Sequence, residues 1–192
     1  MTSFLLEGPA AEPVTLADAK AFLKLDASDE DALVSTLVTA ARLHVEGATG
    51  RALISQSWRL VLDDWPVSRM IRLPVSPLIS LDAITAYGED GDPETLPLAG
   101  VLWDATASPA LVFLPQDFGA TIPLRSRQGI EIDFTAGYGT DPADVPAALR
   151  QAMLTLVAYW FENRDTLVIA GSGAVIPSGL DLMLGPYRSI RL

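Results

Sequence analysis

The hydrophobic period of this chain changes twice, and few architectures accommodate that. From residue 15 to about residue 48 apolar residues recur at helical spacing, from Ser55 to about Ala136 they alternate every second residue, and from Asp144 the helical spacing returns. Two helical blocks separated by a strand-forming block imply a helical core interrupted by a β insertion. At 192 residues the chain fits one domain carrying a sizeable insertion, and 49% hydrophobic against 19% charged residues leaves no room for a disordered reading. The expected class is α+β. Residues 1–54 supply two N-terminal core helices, 55–136 an inserted antiparallel β module, 137–170 one long buried helix, and 171–192 an extended C-terminal arm.

The helical boundaries carry their own signals. Thr15 followed by Asp18 is a capping-box pair that satisfies early helix amides, and Ser28 with Asp31 repeats the device. In the second helix Leu33, Leu37, Ala41 and Val45 share one face, and Gly50 follows the predicted end near Ala48. In the middle block, "SWRLVL" and "GIEIDFTAGYG" alternate as half-buried strands do, the latter with Ile130, Ile132 and Phe134 opposed to Glu131, Asp133 and Thr135. Pro74 and Pro77 confine their surroundings to edges or turns, and "GEDGDPE" is a loop tip by composition.

The stretch "AGYGTDPADVPAALRQAMLTLVAYWFENRD" begins with Asp144 as a candidate N-cap and Pro146 in the first turn, where a missing amide costs nothing. Leu149, Met153, Leu156 and Trp160 then form the core face, widened by Ala152, Val157, Ala158 and Phe161. A helix apolar nearly all round is buried on several sides, and roughly 20 residues at about 1.5 Å each would span about 30 Å. After Asp181 the only charged side chains are Arg188 and Arg191, so an acidic protein finishes in a cationic, apolar tail. Such a terminus reads as a docking arm.

Candidate chemistry is sparse. The single histidine, His44, lies within the second helix without a partner on its own face, and reads as structural. "GSG" at 171–173 lacks the remainder of a nucleophile elbow and reads as a hinge. Asp90, Asp92 and Glu94 miss the spacing of a calcium loop, Asp63 and Asp64 end a strand, and Tyr159, Trp160 and Phe161 point in different directions with no basic groove beside them. "GYGTD" offers neither a dinucleotide fingerprint nor a P-loop lysine. No catalytic, cofactor or metal residue is expected, and the chain is expected not to be an enzyme.

Charge narrows the partners. Thirteen basic against 24 acidic residues give a net charge of -11, unsuited to gripping phosphates over a broad face but suited to lining a passage through which DNA slides. The absence of cysteine excludes disulfides and thiolate metal sites. "MTSFLLEGPAAEP" does not read as a signal peptide, and no membrane association is expected.

The succession "EPVTLADAKAFLKLD", "DEDALVSTLVTAARLHVEGATGRALISQSW", "IRLPVSPLISLDAI", "AGYGTDPADVPAALRQAMLTLVAYWFENRD" and "GPYR" resembles the head-tail connector (adaptor) family of tailed bacteriophages, prophages and gene transfer agents. The resemblance extends over nearly the whole chain and implies a helical core with an inserted β module. It further implies a ring of about twelve subunits beneath the portal protein, closed by repeated heterologous contacts. Such a ring presents a surface to a stopper or tail-completion protein and lets DNA pass without sequence-specific binding. By the same resemblance the C-terminal region docks on the portal, which assigns that role to Leu182, Leu184, Tyr187, Arg188, Ile190, Arg191 and Leu192. The implied location is the head-tail junction of a virion or gene-transfer-agent particle, assembled in the bacterial cytoplasm. "NRD" stands where the resemblance implies Asn-Arg-Glu, and the glycine-rich link at 171–179 is expected to lengthen the arm. Alternatives are another neck protein, a stopper or terminator, against which the long apolar helix argues, and a ligand-binding domain, which would need a pocket of convergent polar groups.

Overall fold

Thr2–Glu7, which no periodicity singles out, form strand β1 in the computed structural model. The structure describes residues 1–163, 177 and 179–188. Helices α1 (Leu16–Leu23) and α2 (Asp31–Thr49) follow, then strands β2 (Gln56–Leu62), β3 (Met70–Arg72), β4 (Leu78–Tyr87), β5 (Pro93–Leu96), β6 (Leu102–Asp104), β7 (Leu111–Phe113) and β8 (Ile130–Ala136). Helices α3 (Ala147–Glu162) and α4 (Leu180–Leu184) complete the described chain. The fold class is α+β. The chain forms two compact units, one of Met1–Pro9 with Ser55–Tyr138 and one of Ala10–Ile54 with Gly139–Leu192. Residues 2–7 therefore join the β unit and not the helices that follow them.

The β unit contains a five-stranded antiparallel sheet in the order β1-β2-β8-β4-β5 and a three-stranded antiparallel sheet in the order β3-β7-β6. Strand β8 lies at the centre because its alternation is the strictest: Ile130, Ile132, Phe134 and Ala136 are all fully buried. Registry aligns Leu60 of β2 and Ile84 of β4 with Ile132, so three branched side chains cross the sheet in one row on the core side. A one-residue slip would turn this row to solvent, so the apolar pattern sets the register.

In the helical unit the first capping box forms as the spacing predicts. The Thr15 hydroxyl accepts from the Asp18 amide at 3.0 Å, and the Asp18 carboxylate accepts from the Thr15 amide at 3.3 Å. The second does not: α2 begins after Glu30 with no side-chain cap, and Asp31 instead pairs with Lys20 of α1 at 2.6 Å. Cross-helix charge pairing outcompetes local capping here. The core ridge of α2 is also rotated by one residue, to Val34, Val38, Ala41 and Val45, leaving Leu33 and Leu37 half-buried. Both ridges are apolar, and only packing against α1 and α3 chooses between them.

Helix α3 is shorter than its apolar run suggests. Asp141 caps a 3-10 turn at Pro142–Asp144, in which Asp144 returns a hydrogen bond to the Asp141 amide at 3.1 Å, so Asp144 is not the cap of the long helix. The helix starts after Pro146 and runs 16 residues, about 24 Å. Leu149, Met153, Leu156 and Trp160, with Ala152 and Val157, are its buried face, while Gln151 and Glu162 meet solvent. It packs on α1, α2 and α4.

Candidate assembly surfaces

No helix among the described residues is long and apolar enough to cross a membrane, and no metal-competent cluster of His, Asp or Glu occurs among them. His44 meets the edge of Trp160, ring centroids 6.0 Å apart. Glu46, two residues on, accepts from Arg42 at 2.9 Å and from the Leu53 amide at 2.9 Å. Asp90 holds its own turn by accepting from the Asp92 amide at 3.1 Å. Asp63 accepts from the Gln128 amide at 2.8 Å and so ties two loops together, whereas Asp64 accepts from the adjacent Trp65 amide at 2.7 Å. They border an open cleft of about 700 Å³ in the β unit that also exposes Val67, Arg69 and Arg125. Ser172 and the rest of the "GSG" stretch lie outside the described residues.

The best-built polar constellation is on the outer face of the large sheet. Arg59 of β2 forks onto Asp133 of β8 at 2.6 and 2.7 Å and reaches Glu131 at 2.8 Å. Tyr87 donates to Glu131 at 2.9 Å, and the Arg125 guanidinium lies 4.1 Å above the Tyr87 ring. The hydrogen bond to Asp133 raises the Arg59 pKa above its ordinary value, and the hydrogen bond to Glu131, with burial second, raises that of Tyr87. Every member has a partner. A planar, mutually satisfied charge layer of this kind fixes strand register and presents a rigid polar face; it holds no free base or nucleophile. The alternation of β8 announces the carboxylates, whereas Arg59 could have been found only by pairing two strands 74 residues apart.

A second network anchors the segment leading into the helices. Arg42, buried in α2, pairs with Glu12 at 2.8 Å and Glu46 at 2.9 Å, and Thr39 donates to Glu12 at 3.0 Å.

Of the proposed arm residues, Leu184 is 1% exposed and packs within the helical unit together with Leu180, one turn earlier. It is therefore core and not free to dock. Residues 180–187 are helical where glycine and proline content predicts extended chain, because Leu180 and Leu184 share a face and α3 offers a surface to bury it. Leu182 points the other way and is 83% exposed. The Tyr187 carbonyl accepts from Arg51 at 2.7 Å, and Arg188 pairs with Asp181. Ile190, Arg191 and Leu192 lie outside the described residues.

Residues 13–90 match the family described as phage gp6-like head-tail connector protein. Solved structures extend the likeness over the whole chain. One relative comes from the virion of a native gene transfer agent particle, with 27% identity over 100% of this chain and 97% of that one and a TM-score of 0.79. Another comes from the neck of an empty gene transfer agent particle computed with C6 symmetry, with 26% identity, the same coverage and a TM-score of 0.77. A third comes from the neck of a native particle computed with C12 symmetry, at 27% identity, the same coverage and a TM-score of 0.76. No curated protein matches the chain. The resemblance to head-tail connectors read from the sequence holds, both in the matched segment and in the fold.

Proposed function

We propose that this protein is a structural component of a phage or gene-transfer-agent neck, a head-tail adaptor that forms a ring below the portal and links the capsid to the stopper or tail. The observation that carries this reading is the end-to-end likeness to neck and virion proteins, 100% of this chain against 97% of theirs. The reading includes a ring of about twelve copies, which the twelvefold symmetry applied to one of those necks and the sixfold symmetry applied to another support. The role is mechanical and not enzymatic. With a net charge of -11, carboxylates facing the lumen repel DNA and let it slide. The portal contact falls to the tail beyond α4, beginning with Tyr187 and Arg188 and continuing through Ile190, Arg191 and Leu192. The protein assembles in the bacterial cytoplasm and remains at the head-tail junction.

Electron microscopy of particles from the producing cell, with this protein tagged, tests the reading. A ring between portal and tail is expected; particles that mature and lack the protein would refute it. A chain ending at Arg188 separates the docking role from folding, because Leu180 and Leu184 stay in place. It should fold and fail to join portal-containing particles.

A further inference from the structure

Arg150 of α3 is the anomaly of the helical unit. Its Nε is buried and has no hydrogen-bond partner among the described residues, although the chain carries 24 carboxylates. It also stands in the first turn of α3, where the helix dipole disfavours a cation. A buried donor on a charged group without an acceptor is costly, and native proteins leave few of them. Beside Arg150 runs a groove of about 290 Å³ between α1 and α3, walled by Val14, Phe22 and Leu154, with Phe22 43% exposed. Among the described residues the one carboxylate on its rim, Asp18, accepts from the Thr15 amide and hydroxyl through Oδ2 and forms no ion pair with Arg150. The groove therefore asks for an apolar side chain adjacent to an acid, on a scale of one or two residues.

The same unit displays that combination elsewhere. Helix α4 is pinned by Leu180 and Leu184, which leaves Leu182 turned outward next to Asp181, whose side chain is 75% exposed. Among the described residues Asp181 is held only by an exposed pair with Arg188, which costs little to exchange. We infer that the α1/α3 groove receives α4 of a second copy of this chain, Leu182 seated against Phe22 and Leu154 and Asp181 paired with Arg150. Groove and plug are different surfaces, so the contact is heterologous and repeats from copy to copy; it closes as a ring when the rotation permits. This deepens the adaptor reading and rests on it, since it names the joint between ring neighbours.

The chain has no cysteine, which makes the test clean. One set of copies carries Phe22→Cys and another Leu182→Cys, both at exposed positions, co-produced in cells that make particles and then oxidised. Disulfide-linked dimers are expected from the mixture and from neither variant alone. Adding Arg150→Glu to the first set should cut the dimer yield about tenfold or more, and adding Asp181→Lys to the second should restore it. Particles that contain the ring but yield no dimer overturn this joint and leave the adaptor reading standing. Particles without the protein refute the adaptor reading itself. A dimer yield indifferent to Arg150→Glu overturns the charge pairing that defines the site.

Discussion

Arg42→Met isolates the energetics of the helical unit. Arg42 is 8% exposed, and its guanidinium donates to two carboxylates, Glu12 at 2.8 Å and Glu46 at 2.9 Å, whose side chains are 29% and 14% exposed. A hydrogen bond to a charged group is worth about 1.5 to 3 kcal/mol, so two lost bonds set an upper range of about 3 to 6. Glu12 is open enough for water to replace its partner and also keeps Thr39, whereas Glu46 keeps the Leu53 amide but loses its countercharge. The net cost is then about 3 kcal/mol. Methionine retains most of the aliphatic packing, so little of the loss comes from a cavity. Urea unfolding followed at Trp160, the tryptophan of the helical unit, should show the midpoint falling by roughly 1 to 3 M. The triple change Glu12→Gln, Arg42→Met, Glu46→Gln removes the stranded charges and should recover most of the loss. A change below about 1 kcal/mol in the single variant would refute the reasoning, placing the network in the solvated class of surface pairs.

Trp160→Ala should destabilise the helical unit by about 3 to 5 kcal/mol, measured by the same titration with circular dichroism replacing the lost fluorophore. Gly119→Ala should cost about 2 to 4 kcal/mol and shift the tryptophan emission, because Gly119 has φ +67° and an added Cβ would come 2.6 Å from the Trp65 ring. Tyr87 has a raised pKa, so the stability it contributes is complete below its ordinary value of 10.0 and is lost as pH rises through the folded-state value. Tyr87→Phe should therefore lose about 1 kcal/mol at neutral pH and unfold less steeply above pH 10 than the parent, as read from midpoints across an alkaline series.

Local signals in the chain were sufficient to specify the α+β class, the first capping box, the inward and outward faces of β8, and the buried positions of α3. Each depends on residues within one turn or one strand, where spacing alone sets direction. The resemblance to head-tail connectors was legible for the same reason: it lies in a succession of such local signals. Tertiary structure decided what depends on distant partners. Thr2–Glu7 became a strand because β2 offers an edge to pair with, a choice no window of the sequence contains. The ridge of α2 settled on Val34 and Val38 because two adjacent apolar rows were equally helical and only packing distinguishes them. Arg59 met Asp133, Arg42 met Glu12, and Leu184 left the tail for the core, each across a sequence separation that periodicity does not span. The Nε of Arg150, without a partner among the described residues, could not be read from the sequence at all, since a missing acceptor becomes visible only in the packed structure.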